Sequence, residues 1–210
     1  MSAPLVLGSA SPRRQELLAA LDLRFTVVAA DLDEAAIAAG RAPEAAALAV
    51  ADAKGTAIAA RHPGAIVLAA DTIVVLDGAI LGKPVDAADA GRMLAALRDR
   101  VHVVITGITV RRDARHETIA VPAEVTMRGY TDVEIARYVA DGGGVDRAGA
   151  YGIQDEPFRP VAAIAGCWCN VMGLPLWTAA RLLERAGCAV PRPPDEAFAR
   201  CAVCPLRDVR

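Results

Sequence analysis

One acidic residue, Asp71, lies inside the apolar stretch Ile66–Leu76. A carboxylate buried among aliphatic side chains costs free energy unless a partner compensates its charge. The dipeptide Asp77-Gly78 that follows is typical of a two-residue hairpin turn, so Ala79–Leu81 is predicted to return antiparallel. Lys83, just beyond the returning strand, would then reach the region of Asp71. An acid on an edge strand, exposed to water, is the alternative if Asp71 stands alone.

A second group able to do chemistry lies at the start of the first predicted helix, residues 13–21, which follows a short apolar strand. Ser11 is placed to cap this helix and Pro12 to occupy its first position. Free backbone N–H groups and the positive end of the helix dipole then lie beside Arg13 and Arg14, an arrangement that binds anions. A capped helix whose arginines are merely solvated is the equally open alternative.

A further cation, Lys54, lies on an alanine-rich helix that is predicted from Pro43 to about residue 60. Val50 and Ile58, one turn away on either side, make its flank at least partly apolar. The lysine either lays its stem along that flank with its ammonium in water, or points the ammonium into a cleft. Its spacing does not decide between the two.

Composition limits the partners and the location that are expected. The 210 residues fit one domain or two small lobes around one core, and 54% of them are hydrophobic. A formal net charge of −2 lacks the basic surface that nucleic-acid binding requires. The sequence has no apolar run of about 18 residues to span a bilayer, and residues 1–4 lack the features of a signal peptide. We therefore expect a cytoplasmic protein that binds neither nucleic acid nor a membrane.

Helix and strand patterns are mixed along the rest of the chain. Asp86 is predicted to cap one helix, and Thr131 with Glu134 forms a capping box that starts another. Further strands are predicted over residues 101–110, about 116–127 and 161–164, and further helices over residues 87–97, 131–140 and 176–186. Hairpins mixed with helices indicate an α/β fold with a mixed sheet. His102 and His116 are expected to be surface or hydrogen-bonded sheet residues.

The cysteines all lie toward the C-terminal end, at Cys167, Cys169, Cys188, Cys201 and Cys204. An odd number without a secretory signal indicates reduced thiols. Cys201 and Cys204 have C-x-x-C spacing, and Cys188 is available as a third ligand for a structural zinc or an iron–sulfur centre. Free thiols on a mobile tail are the simpler expectation. We expect residues 1–190 to form the domain and residues 191–210 to form this tail.

Six segments of the chain follow one another in an order that is itself informative. They are Ser9-Ala-Ser-Pro-Arg-Arg-Gln-Glu-Leu-Leu18, Asp33-Glu34, Ala70-Asp71-Thr72, Leu81-Gly-Lys-Pro84, Gly149-Ala-Tyr-Gly-Ile-Gln154 and Asn170-Val-Met-Gly-Leu-Pro-Leu176. Together they resemble the motifs of the Maf family of nucleoside triphosphate pyrophosphatases, over residues 5 to about 186. The resemblance implies an elongated α/β fold, with a mixed twisted sheet, flanking helices and two lobes around a central cleft, related to the inosine triphosphatase fold. It also implies an enzyme that cleaves a nucleoside triphosphate between its α- and β-phosphates, giving a monophosphate and pyrophosphate.

The resemblance assigns a role to each matching residue. Asp71 is implied to be the general base that activates water for attack on the α-phosphate. The groups implied to bind the triphosphate are Ser9, Arg13, Arg14, Lys54 and Lys83. Glu34, together with Asp71, is implied to lie near a divalent cation, Mg²⁺ or Mn²⁺. The set is physically coherent, because a triphosphate needs several positive charges and a base must come within about 2.6–3.2 Å of the water.

Three further positions of the resemblance indicate which nucleobase the substrate carries. In the branch of the family that prefers dTTP and UTP, an arginine, a threonine and a glutamine occupy the places that are Arg13, Thr72 and Gln154 here. We therefore expect hydrolysis of dTTP, UTP and modified pyrimidine triphosphates. The alternatives are that the chain hydrolyses 7-methyl-GTP or that it is a nucleotide-binding regulator of septum formation.

The family also implies a homodimer. Asp155 and Glu156 depart from its usual glycine-rich continuation and would place two acids near the pocket.

Overall fold

The computed structural model describes residues 3–209, so the first two residues of the predicted N-terminal lead-in and the last residue of the predicted tail lie outside it. The strands are β1 (Leu5–Gly8), β2 (Thr26–Val27), β3 (Ile66–Leu76), β4 (Ala79–Leu81), β5 (Val101–Arg112), β6 (Arg115–Met127) and β7 (Val161–Ala165). The helices are α1 (Pro12–Ala19), α2 (Glu34–Ala38), α3 (Pro43–Ala59), α4 (Ala87–Leu97), α5 (Asp132–Ala140), α6 (Trp168–Met172), α7 (Leu176–Arg185) and α8 (Pro194–Ala197). Short 3-10 turns occupy Ala148–Ala150 and Ala199–Cys201.

The strands form one seven-stranded mixed sheet, as the sequence predicts. Its order is β2-β1-β3-β5-β6-β7, and β4 pairs with the far end of β3. β1 pairs parallel with β2 and β3, whereas the longer pairs β3-β5 and β5-β6 are antiparallel. Asp77 and Gly78 have φ values of 50° and 80°. Positive φ at both central residues is what a tight hairpin turn of this kind requires, so the predicted turn is confirmed.

The two largest of four apolar clusters within residues 3–209 lie along the sheet and form the cores of two lobes. The first contains α1, α7 and the first half of β3, where Ile66 and Leu68 are fully buried. The second contains α4, α5 and the second half of β3, where Val74 and Leu76 are buried. β3, with 11 residues, contributes side chains to both cores. Asp71 lies between the two cores, at the middle of the strand.

Local sequence explains most element boundaries. Pro43 occupies the first turn of α3, Asp86 accepts a hydrogen bond from Asp89 N at 2.7 Å, and Thr131 forms its capping box with Glu134. The sequence did not predict the short helices α2 and α6. Each contains only five residues, which is too short for a hydrophobic period to identify it. None of the helices within residues 3–209 is long and apolar enough to cross a membrane.

The C-terminal segment is packed against the first lobe, so the prediction of a mobile tail is wrong. Cys201 and Cys204 are 1% and 7% exposed and belong to the first core. Trp177 Nε1 donates to the carbonyl of Cys201 at 3.0 Å, and an Arg181 nitrogen donates to the carbonyl of Leu206 at 2.8 Å. Apolar side chains spaced irregularly along a proline-rich segment do not show a periodic pattern, but they still bury against an existing core.

Candidate functional site

A cavity of about 900 Å³ opens between the two lobes. Every site residue predicted from the sequence lines it: Ser9, Arg13, Arg14, Glu34, Lys54, Asp71, Thr72, Lys83 and Gln154. They come from the start of α1, from α2 and α3, from the β3-β4 hairpin and from the segment that follows the 3-10 turn Ala148–Ala150. The tertiary structure therefore brings together in space residues that the sequence separates by up to 145 positions, from Ser9 to Gln154 (154 − 9).

The centre of the cavity is a lysine held between two carboxylates. Lys54 Nζ lies 2.9 Å from Asp71 Oδ1 and 2.9 Å from Glu34 Oε1. The Lys54 and Asp71 side chains are 9% and 13% exposed, whereas that of Glu34 is 50% exposed. The partner that compensates the charge of Asp71 is therefore Lys54. Lys83 is exposed, lies just beyond β4 and lines the same cavity as Asp71, whereas the ion pair of Asp71 is with Lys54.

Lys54 reaches Asp71 because α3 packs closely on the sheet at that level. Gly107 in β5 lies directly opposite Asp71 in the strand register. A Cβ atom on Gly107 would collide with the backbone carbonyl of Ala47 in α3. Gly55, next to Lys54 in α3, likewise has no room for a side chain, because a Cβ there would lie 2.6 Å from the Thr109 methyl group. Of the two alternatives for Lys54, the structure has the ammonium pointing into the cleft.

Arg14 is a buried cation that organises the wall of the cavity. Its Nε donates to the carbonyl of Gly173 at 2.7 Å, and its two terminal nitrogens donate to Ser9 Oγ at 3.1 Å and Thr72 Oγ1 at 2.9 Å. Burial lowers the pKa of Arg14, while Asp71 and Glu34 act in the opposite direction. Ser11 is the residue before α1, yet its side chain makes no capping hydrogen bond. The start of α1 is instead held through Ser9 and Arg14.

The hydroxyl of Thr72 has a defined hydrogen-bonding direction. Thr106 Oγ1 donates to the carbonyl of Asn170 at 3.0 Å, which uses its single proton. In the 2.9 Å contact between Thr72 Oγ1 and Thr106 Oγ1, Thr72 must therefore be the donor. Thr72 also accepts from Arg14, so it keeps an acceptor lone pair for a ligand and no proton to donate.

Arg13 and Arg147, which also line the cavity, share the carboxylate of Asp146. Arg13 lies 3.9 Å from Asp146, and burial, followed by the nearby charge of Arg147, lowers its pKa. Arg147 is bound by Asp155, which also accepts from Tyr138 Oη and from Gly152 N. The acid that departs from the expected glycine-rich pattern thus anchors the wall and does not project freely into the pocket.

Several residues of the site were not predicted from the sequence. Arg147 lines the cavity, and its buried Nε lies 3.4 Å from Asp146 Oδ1 in an ion pair. Thr106 and Asn170 hold the floor below Thr72. Arg147 immediately precedes the segment that contains Gln154, and this proximity is the signal that could have identified it. Thr106 and Asn170 lie in a strand and a short helix with no pattern that marks them.

The two carboxylates fit a divalent cation that arrives with a phosphate ligand. Within residues 3–209, no three or more His, Cys, Asp or Glu side chains are grouped so that they could hold a metal ion by themselves. Mg²⁺ commonly takes one or two carboxylates together with substrate phosphates and water. Glu34 and Asp71, which share the Lys54 ammonium, supply that number of oxygen ligands.

Fold and site together define an α/β protein with a cleft for a polyanion and a carboxylate beside it, the arrangement of a phosphoanhydride hydrolase. Comparison of sequences makes the class specific. The chain belongs to the family described as Maf-like protein, whose sequence model matches residues 4–186.

Relatives resemble the chain along most of its length. A Thermomicrobium roseum protein named dTTP/UTP pyrophosphatase is 46% identical over 203 residues, covering 96% of this chain and 93% of the relative. A Myxococcus xanthus protein of the same name is 50% identical over 188 residues, covering 89% and 94%. A solved HAM1 protein from Coxiella burnetii aligns with 75% of this chain and 92% of its own, with 18% identity and a TM-score of 0.42. The family assignment rests on the sequence matches.

Proposed function

We propose that this protein hydrolyses dTTP and UTP, and pyrimidine triphosphates with modified bases, to the monophosphate and pyrophosphate. The observation that carries the proposal is the Asp71–Lys54–Glu34 arrangement at the centre of a cavity lined by further cations. The names of the similar proteins from Thermomicrobium roseum and Myxococcus xanthus support the choice of substrate.

The cations divide between binding and positioning. Arg13 and Lys83 are the more open of them and can contact the triphosphate, and Ser9 keeps its hydroxyl proton for a phosphate oxygen because both of its hydrogen bonds are accepted ones. Arg14 donates three of its five N–H groups to protein acceptors. It therefore fixes the positions of Ser9 and Thr72, and its two remaining N–H groups can contact the triphosphate.

Asp71 is the proposed general base. A carboxylate within hydrogen-bond reach of a water can take its proton as the water attacks the α-phosphate. Lys54 holds one carboxylate oxygen in place at 2.9 Å and adds positive charge next to the reacting phosphate. A divalent cation held by Glu34 and Asp71 with the phosphates would neutralise part of the charge that develops on the leaving pyrophosphate.

The pyrimidine is proposed to be recognised by Arg13, Thr72 and Gln154. The Gln154 side chain is exposed and offers both a donor and an acceptor to the edge of the base. Thr72 can only accept a hydrogen bond from the ligand, because its hydroxyl proton is already donated to Thr106 Oγ1. A site built in this way excludes bases that leave its polar groups unpaired.

A panel of triphosphates tests the proposal. Pyrophosphate release is measured for dTTP, UTP and 7-methyl-GTP with Mg²⁺ and then with Mn²⁺. We expect kcat/KM to be at least 10-fold higher for dTTP and UTP than for 7-methyl-GTP, as a polar base site discriminates strongly. A preference for 7-methyl-GTP would contradict the roles proposed for Arg13, Thr72 and Gln154.

Replacement of the proposed general base, Asp71, distinguishes an enzyme from a nucleotide-binding regulator. Asp71→Asn should lower kcat for dTTP by about 10²–10⁴, the usual contribution of a general base, while calorimetry still detects nucleotide binding. Asp89→Asn, on α4 and outside the cavity lining, is the control and should retain activity. Full turnover by Asp71→Asn would refute the assignment of the base.

The assembly and location implied by the family remain predictions. A homodimer is tested by light scattering on the purified chain, where twice the 21.8 kDa chain mass is expected. A cytoplasmic location is tested by cell fractionation.

A further inference from the structure

Four of the five cysteines meet where the C-terminal segment packs on the first lobe. Cys167 and Cys169 lie at the start of α6, and Cys201 and Cys204 lie in the C-terminal segment; their exposed fractions are 2%, 1%, 1% and 7%. Cys188 is half-buried outside this group. We call the four buried residues the thiol cluster. None of its members lines the proposed active site.

The sulfurs of the thiol cluster meet in pairs. Cys169 Sγ and Cys201 Sγ are 3.4 Å apart, although the two residues are 32 positions apart in the sequence, and both are free thiols. The side chain of Cys169, followed by smaller effects that include Cys204, lowers the pKa of Cys167 to about 6. Within residues 3–209, no three cysteines are grouped as metal ligands. Pairwise sulfur chemistry therefore suits this arrangement better than binding of a single ion.

Cys169 and Cys201 differ in their readiness to lose a proton. A hydrogen bond from Cys169 lowers the pKa of Cys201, and burial acts against this effect. Hydrogen bonds to Cys167 and Cys201 raise the pKa of Cys169. A thiolate that contacts a protonated thiol matches the pair formed by a reactive cysteine and its resolving partner.

One member of the thiol cluster, Cys204, borders a surface groove. A groove of about 350 Å³ lies beside it, lined by Trp168, Arg200, Val203 and Cys204 among others. Arg200 lies over the Trp168 ring, 5.4 Å from its centre. Hydrogen peroxide is small enough to enter such a groove.

We propose that Cys169 and Cys201 are a modification site at which hydrogen peroxide forms a disulfide that joins the C-terminal segment to α6. The Cys201 thiolate attacks one peroxide oxygen, the O–O bond breaks, and the products are a sulfenic acid and hydroxide. The Cys169 sulfur then attacks the Cys201 sulfur, and its proton leaves with the displaced hydroxide as water. Two thiols are oxidised and one peroxide is reduced to two waters.

The disulfide would stabilise a helix that the site depends on. α6 contains Asn170, whose carbonyl accepts from Thr106, and it leads into Gly173, whose carbonyl accepts from Arg14. A bond between Cys169 and Cys201 closes a loop of about 32 residues, which restricts the unfolded chain. The proposal does not depend on which nucleotide the cavity binds.

Mass spectrometry of the full-length protein tests the proposal. The reduced protein is treated with hydrogen peroxide, alkylated while unfolded, and digested without reductant. We expect a peptide pair linked through Cys169 and Cys201 and an unfolding temperature several degrees above that of the reduced form. Cys188→Ser should keep both results, whereas Cys201→Ser should lose both. The linked peptide of the wild-type chain is informative even if a variant folds poorly.

Three outcomes would overturn the proposal. The first is alkylation of all five thiols after peroxide treatment, where the proposed disulfide leaves three. The second is a disulfide within one segment, such as Cys201 with Cys204. The third is one zinc or iron ion per chain in protein purified without chelator, because bound metal would show that the sulfurs act as ligands.

Discussion

At the scale of residues, Lys54 determines the geometry of the site. The sequence identified Asp71 as an acid in an apolar strand that needs a partner. Proximity along the hairpin indicated Lys83, yet the partner comes from α3. Charge compensation is a requirement of the buried carboxylate, and the sequence predicts the requirement but not which cation meets it.

Replacement of Lys54 by methionine tests this role. Lys54→Met keeps the apolar stem, removes the charge and leaves Asp71 and Glu34 without their shared cation. We expect kcat/KM for dTTP to fall by about 10²–10³, the usual effect of losing one electrostatic contact to a transition state. Lys83→Met, on the exposed wall, is the control and should mainly raise KM. Equal losses in the two variants would show that Lys54 has no special position.

His102 makes stability depend on pH. It is 2% exposed, its Nε2 bonds Tyr151 Oη at 2.7 Å, and burial lowers its pKa from 6.5 to about 4. It is therefore a hydrogen-bonded sheet histidine, one of the two kinds predicted. Because the folded form resists protonation, the stabilisation is complete above pH 6.5 and is lost as pH falls toward 4. The shift corresponds to roughly 3 kcal/mol.

Urea unfolding at a series of pH values measures this contribution. Wild type should lose stability between pH 6.5 and 4, and His102→Gln should show a flatter dependence over the same interval. His116→Gln is the matched control and should follow wild type, because His116 is exposed near the start of β6. Parallel curves for wild type and His102→Gln would contradict the assignment.

At the scale of elements, the fit of α3 against β5 places the catalytic groups. Local signals were sufficient for the hairpin turn, for the caps of α4 and α5 and for the long strands. They were insufficient for α2, which carries Glu34, and for α6, which supports Thr106. Both helices are short and are held by contacts from distant parts of the chain, such as Lys54 and Val104.

A methyl group at Gly107 should displace α3. Gly107→Ala forces its Cβ against the carbonyl of Ala47, and overpacking of this kind costs about 1–3 kcal/mol. Because Asp71 is opposite Gly107, we also expect kcat for dTTP to fall. Urea unfolding and initial rates provide the two measurements.

A second glycine supplies the control for this prediction. A Cβ on Gly91, inside α4, would have its nearest neighbour at 3.9 Å, an ordinary contact. Gly91→Ala should therefore stabilise by about 0.5–1 kcal/mol, since alanine loses less backbone entropy in a helix. Stability of Gly107→Ala equal to that of wild type would show that α3 can move without cost.

At the scale of the whole molecule, the cavity is bounded by both lobes. A ligand that spans it binds the folded chain and not the unfolded one, so it shifts the unfolding equilibrium. A non-hydrolysable dTTP analogue at 100 times its Kd should stabilise by about 2.7 kcal/mol. Thermal unfolding with and without the analogue is the measurement, and Lys54→Met is the control expected to respond less. An unchanged midpoint at saturating analogue would place the nucleotide site elsewhere.

The sequence by itself determined the mixed α/β class, the positions of most helices and strands, and the family. It also identified nine of the residues that line the cavity. These properties depend on local patterns, such as apolar periodicity, caps, turn dipeptides and ordered motifs. Only the tertiary structure decided that Lys54 pairs with Asp71, that Thr72 can no longer donate, that Asp155 anchors Arg147 and that the C-terminal segment is buried. Each of these results depends on contacts between residues far apart in the chain, and their geometry is set by packing between elements, which no local pattern encodes.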